Sequence, residues 1–175
     1  MPLLIAHRGL LNGPDHSIEN TIDALEYARA QGYDIEVDLW FVDDRWMLGH
    51  DAPAHLINED QMRTLDRKDI YDDHHMWIHA KNIDALYQLR KIRWPGHFFY
   101  HQQDDAVLTS TGYLWTQPGE QLTPLSVCVM PEWNDSILSC NELDVHAFCT
   151  DHVLAIKTAI NNKRNSFMII FSFFN

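Results

Sequence analysis

Three short stretches of this chain, residues 3–7, 34–40 and 76–81, carry apolar strand patterns that end in ionisable side chains. Side chains alternate across a β-strand, so residues two apart share a face. In Ile35-Glu36-Val37-Asp38-Leu39 the carboxylates share one face and the aliphatic residues share the other. In Ile78-His79-Ala80-Lys81 the polar pair shares a face in the same way, and His7 closes its own strand. Taking an unpaired polar group out of water costs roughly 2–7 kcal/mol, and a lone charge costs more. A fold that buries these strands must gather their polar ends at one rim, where a shared ion or a bound anion relieves the cost.

Helical patterns separate the strands. Residues 19–30 read as a helix with Ile22, Leu25 and Ala28 on one face and Gly32 as its stop. Asn58, with Gln61 three residues on, opens a short helix as a capping box. Asn82 caps another, with Ile83, Leu86 and Leu89 toward the core; Pro95-Gly96 ends it, and residues 97–101 form a fourth strand. Strand–helix–strand order implies parallel strands with right-handed crossovers. A single α/β domain over residues 1–175 is therefore expected. Its architecture is expected to be a reduced or irregular (β/α) TIM-type barrel, since a full one takes about 250 residues; an open doubly wound sheet satisfies the same order. The second half is less regular. Residues 113–117 and 126–130 both read as strands, but a parallel crossover between them normally needs a dozen or more residues. Residues 147–150 read as a strand, 153–160 as a helix and 167–174 as a last buried strand.

The formal net charge of −12, from 25 acidic and 13 basic residues, argues against a nucleic-acid backbone or an anionic membrane surface as main partner. It is compatible with a small anionic substrate, because a divalent cation inverts the local field. Cys128, Cys140 and Cys149 are odd in number and lack metal-site spacing. They read as reduced thiols, which points to the cytoplasm. No secretory signal is expected, because no basic stretch precedes the first apolar run. No membrane span is expected either: residues 167–174 are half the length one requires.

His7-Arg8-Gly9 and Gly49-His50-Asp51 are weak motifs singly; together they supply two imidazoles for acid–base work, with Asp51 placed to orient His50. Arg8 and Lys81 suit a phosphate, Arg8 through a bidentate grip. Glu36 and Asp38 lie about 6.6 Å apart along a strand. Converging, they can reach a hard cation, whose oxygen ligands sit at about 2.0–2.6 Å; an exposed acidic strand face is the plain alternative.

In this order and spacing, His7-Arg8-Gly9, Glu19-Asn20-Thr21, Glu36-Val37-Asp38 and Gly49-His50-Asp51 resemble the glycerophosphodiester phosphodiesterase family, part of the wider group of phospholipase-C-like barrels. The resemblance is closest over residues 4–51, continues to Lys81 and returns at Thr150-Asp151. Residues 77–82, 101–105 and 113–119 are similar to a short bacterial branch of such proteins. The resemblance implies a barrel, a divalent ion (calcium or magnesium) and cleavage of a small glycerophosphodiester or related polyol phosphodiester. In that chemistry a neighbouring hydroxyl of the substrate attacks phosphorus, one histidine assists, and the other protonates the leaving alcohol. His7 and His50 match the acid–base pair, Glu36 and Asp38 the ion ligands, Arg8 and Lys81 the phosphate contacts, and Asn20 a rim residue that orients the site. His7 is expected as the base and His50 as the acid.

One position departs from the family. Its third ligand is a glutamate two residues before the lysine, and here that residue is His79. Imidazole is a poor ligand for calcium and magnesium but suits manganese or zinc. The ion can therefore differ, with Asp51 or Glu132 as further contributors. The short length and His79 also support a second reading, a barrel that binds a phosphorylated ligand without turnover. His101, Glu132 and Asp151 follow strands and are candidates for touching substrate, whereas Asp72-Asp73-His74-His75 reads as a solvated loop and Trp115 as core.

Overall fold

A computed structural model of the chain describes residues 1–67, 74–133 and 143–172, with residues 163–172 given by their backbone course alone. The first half runs β1 (Leu3–Ala6), α1 (Ile22–Ala30), β2 (Asp34–Val42), β3 (Arg45–Leu48), β4 (His55–Ile57), α2 (Glu59–Asp66), β5 (Met76–Ala80) and α3 (Ile83–Lys91). The second half runs β6 (His97–Phe99), β7 (Ala106–Leu108), β8 (Leu114–Thr116), β9 (Ser126–Val129), β10 (Ala147–Thr150) and α4 (Val153–Ser172).

These elements do not make the expected (β/α) TIM-type barrel. They make one curled, mixed sheet of ten strands, a half-barrel accompanied by four helices. Its parallel centre runs β6-β5-β2-β1-β10-β9-β8. Antiparallel strands extend it: β3 on β2, β4 on β3 and β7 on β8. Local chemistry accounts for the departure. Asp43 and Asp44 take φ of 50° and 57°, so β2 turns straight back into β3 through a two-residue hairpin of the kind that needs both residues left-handed. Among the described residues no α-helix stands between β6 and β10. The loop from β8 to β9 is stitched by Ser126 Oγ, which accepts from Thr123 N at 2.9 Å and from Thr116 Oγ1 at 3.1 Å. It leaves β8 and β9 parallel without a crossover helix.

A second correction concerns the last apolar run. Residues 167–172 continue α4 rather than forming a strand. Neither glycine nor proline occurs between 153 and 172 to stop a helix. Residues 173–174 of that run, together with Cys140, Asp72 and Asp73, lie outside the described residues.

The helix starts follow from their caps. Thr21, Asn58 and Asn82 each accept a backbone N–H from three residues ahead, and Asn58 and Gln61 complete a reciprocal capping box. Helix side chains such as Leu25, Leu65 and Leu89 pack on the outer face of the sheet against Ile35, Val37, Leu39 and Ile78. The concave face holds Ile5, Trp77, Phe99, Trp115, Val127 and Val129. Alternation on β2 and β5 therefore places Glu36, Asp38, Trp77 and His79 on the concave side. No helix among the described residues is long and apolar enough to cross a membrane.

Candidate functional site

The C-terminal ends of β1, β2, β5 and β10 meet at one rim. Register makes Asp38 the neighbour of His79, Glu36 the neighbour of Trp77, and Ala6 the neighbour of Thr150. His7 follows β1 directly and opens a tight turn in which Arg8 has φ 52° and Gly9 φ 81°. A side chain at Gly9 would press on Ala24 C at 3.0 Å, so the left-handed backbone and the close approach of α1 both call for glycine. The turn also aims Arg8 N at Glu36 Oε2, 3.2 Å away.

His7 Nδ1 lies 2.8 Å from Asp151 Oδ1, and His7 Nε2 lies 3.9 Å from Glu36 Oε2. An ionised carboxylate only accepts, so Nδ1 carries the hydrogen toward Asp151 and Nε2 is left to face the site. Burial pulls the His7 imidazole down, but the Asp151 hydrogen bond and the Glu36 charge outweigh it and raise its pKa above the ordinary value. The sequence marks Asp151 only as a strand-end acid. Its pairing with a histidine 144 residues away is tertiary and has no local signature.

Asp38 is the most heavily partnered carboxylate of the rim. Asn20 clamps it from behind, donating Nδ2 to Oδ2 at 3.0 Å and accepting Asp38 N at Oδ1, also at 3.0 Å. Asn20 is 1 % exposed with φ 56°, so it positions Asp38 rather than facing a ligand. Arg8 Nε stands 3.1 Å from Asp38 Oδ2; Lys81 Nζ and His79 Nδ1 stand 3.2 and 3.1 Å from Oδ1. Burial alone would raise the Asp38 carboxyl, but the His79 hydrogen bond and the Lys81 and Arg8 charges hold it well below the usual carboxylate range. Glu36 goes the other way, raised by burial and by the Asp38 charge, with His7 and Arg8 opposing. Arg8 Nη1 donates to Glu19 Oε2 at 3.0 Å, a role for Glu19 that the sequence motif does not reveal.

His50 reaches the same rim from the end of β3. Gly49 has φ 148°, and a Cβ there would collide with Ala52 O, so only glycine allows this turn. Trp40 Nε1 donates to Gly49 O at 2.6 Å and fixes the turn to β2. His50 Nδ1 lies 2.7 Å from Asp51 Oδ1, but the Asp51 side chain is 95 % exposed. Burial lowers the His50 pKa; Arg8 and Lys81 add to this, and Asp38 and Asp51 only partly oppose it. Asp51 thus does less for His50 than Asp151 does for His7. The His79 ring lies nearly parallel to those of Phe99 and His101, with centroids 5.3 and 4.4 Å away. Burial, helped by the nearby His79 and Lys81 charges, pulls the His101 pKa down to about 4. Glu132 Oε1 accepts from Thr150 Oγ1 at 2.8 Å and from Asp151 N at 3.3 Å, so it braces the Asp151 turn.

A pocket of about 370 Å³ opens over these groups, with His7, His50, Arg8, Glu36, Asp38 and His79 among its walls. Trp115, Val129, Met130 and Trp133 form its apolar side. Ligand atoms of Glu36, Asp38 and His79 lie within 4.8 Å of one another. Two carboxylates and an imidazole suit a borderline divalent ion, and the burial and Asp38 charge that raise Glu36 are costs such an ion relieves. The residues present therefore fit a divalent metal. Comparison with known proteins finds no family model, no curated protein and no solved structure that matches this chain.

Proposed function

We propose that the chain is a metal-dependent phosphoric diester hydrolase acting on a small glycerophosphodiester or related polyol phosphodiester. The observation that carries this reading is the joint lining of one pocket by two imidazoles, a guanidinium and a carboxylate–imidazole trio. Glu36, Asp38 and His79 would hold the ion, and when bound it supplies positive charge to the phosphoryl group. Arg8 and Lys81 add fixed positive charge beside it. Asp151 orients His7 so that Nε2 takes the proton of the substrate's neighbouring hydroxyl as its oxygen bonds phosphorus, and water afterwards opens the cyclic ester so formed. His50 gives a proton to the leaving oxygen as its bond to phosphorus breaks.

The ion is tested by isothermal titration with manganese, zinc, calcium and magnesium. Glu36→Gln and Asp38→Asn are expected to abolish binding and divalent-dependent turnover of glycerol p-nitrophenyl phosphate while the far-ultraviolet circular dichroism stays unchanged. Undiminished affinity in both variants would remove this pair from the metal site.

A further inference from the structure

The catalytic pocket continues on the His50 side into a second, open cleft of about 860 Å³, and the two share His50, His79 and His101. We infer that this cleft receives the leaving alcohol, and that the alcohol is polyhydroxylated, a cyclic polyol or a sugar, rather than a cationic or acyl group. The inference rests on the hydrolase reading for its orientation: the group that protonates the leaving oxygen stands at the mouth of this cleft.

The chemistry of the walls separates the two sides. The main pocket has an apolar side built from Trp115, Val129, Met130 and Trp133. In the second cleft every lining side chain carries a hydrogen-bonding group, and Tyr100 is its one aromatic ring other than imidazole. An acyl chain needs an apolar wall, and a quaternary ammonium needs several aromatic faces around it. Neither is offered. A primary ammonium would find the Asp104 carboxylate, but Lys81 lines the same cleft and repels it.

Hydroxyl groups suit what remains. A hydroxyl donates once and accepts twice, so a ring of hydroxyls is matched by mixed donors and acceptors rather than by one charge. Gln102 Nε2 donates to Tyr100 Oη at 3.0 Å, which leaves the phenolic hydrogen free to donate. Gln102 N donates to Asp104 Oδ2 at 3.3 Å, which leaves Oδ1 to accept. Gln103 brings a further amide to the same wall. This stretch directly follows β6, so the strand that stacks Phe99 beside His79 also delivers the polar wall.

The test is titration of the chain, loaded with its activating ion, with inositol 1-phosphate, phosphocholine and phosphoethanolamine. Hydrolysis of glycerol p-nitrophenyl phosphate is measured in parallel. Inositol 1-phosphate is expected to bind about tenfold more tightly than either amine, the worth of one or two hydrogen bonds. Gln102→Ala and Asp104→Ala are each expected to shrink that ratio severalfold. Equal affinities, tighter binding of an amine, no measurable binding, or an unchanged ratio in both variants would overturn the cleft assignment even if the diester is hydrolysed. A clear inositol preference with no hydrolysis under any ion would overturn the hydrolase reading and leave the polyol cleft standing.

Discussion

The two ends of the sheet gather the same residue types and dispose of them differently. At the N-terminal ends of the strands, Asp34 Oδ1 lies 2.6 Å from His75 Nδ1, and Asp34 Oδ2 accepts Trp77 Nε1 at 3.2 Å. Asp66 Oδ2 lies 2.7 Å from His74 Nδ1, while its Oδ1 accepts the backbone N–H of His75 and Met76 at 3.2 and 3.0 Å. His97 stacks on Trp77 at 3.7 Å, and its Nδ1 meets Thr111 Oγ1 at 2.5 Å. Each carboxylate there sits alone among donors. At the opposite rim Glu36 and Asp38 are set side by side: burial and the Asp38 charge push Glu36 up, while His79, Lys81 and Arg8 hold Asp38 down. Histidine–aspartate clustering by itself marks structure as readily as function. Like charges forced together beside a pocket are the distinguishing sign.

Substitutions at the two ends should therefore fail in different ways. The largest effect is expected at the rim: His7→Asn should cost about 10²–10⁴-fold in turnover, the usual worth of a general catalyst. Its amide can still donate to Asp151, so its thermal midpoint should stay near that of the unsubstituted chain. Steady-state rates and melting curves measured together check this, and a large fall in melting temperature with proportionate loss of rate would make His7 a structural residue. At the far end the sign reverses. Asp34→Ala strips His75 and Trp77 of their acceptor, and breaking a buried pair of this kind costs about 3–5 kcal/mol. Urea denaturation should show that loss, and a change below about 1 kcal/mol would contradict the account of this network.

A smaller effect separates the ends by pH. Burial lowers the His97 pKa to about 4, with the Asp34 and Asp66 charges only partly opposing. The unfolded imidazole titrates near 6.5, so between these values the unfolded chain binds more protons and stability falls as pH falls. The contribution is full above about pH 6.5 and drains away toward pH 4, amounting to about 2–3 kcal/mol by pH 4.5. Urea midpoints at pH 7.0 and 4.5 for the unsubstituted chain and His97→Asn check it: the variant should lose less between the two. An equal loss would mean that His97 is not the group responsible.

What is legible in the sequence follows the range of the interactions. Alternation on β2 and β5 is local, and by itself it puts Glu36 and Asp38 on one face and His79 and Lys81 on another of the same kind. Caps at Asn58 and Asn82 act over three residues and are equally readable. Strands β4 and β7 are three residues each with exposed members such as Leu56 and Leu108, so no apolar period announces them. The half-barrel is not readable either, because β8 and β9 pair in parallel through a loop whose geometry is set by Ser126 and its hydroxyl neighbours. In the site, the Asp151–His7 pair and the Glu19–Arg8 brace join separate elements and leave no spacing to recognise.

The central claim is that His7 and His50 work as base and acid on a phosphodiester held between them. It is tested most directly by His50→Ala, assayed on glycerol p-nitrophenyl phosphate, an activated diester that keeps the attacking hydroxyl, and on a glycerophosphodiester with an unactivated alcohol, under the same ion. Nitrophenolate leaves without needing a proton, so the variant should lose about 10²–10⁴-fold on the glycerophosphodiester and far less on the activated diester. Equal losses on the two substrates would contradict the assignment of His50 as the acid.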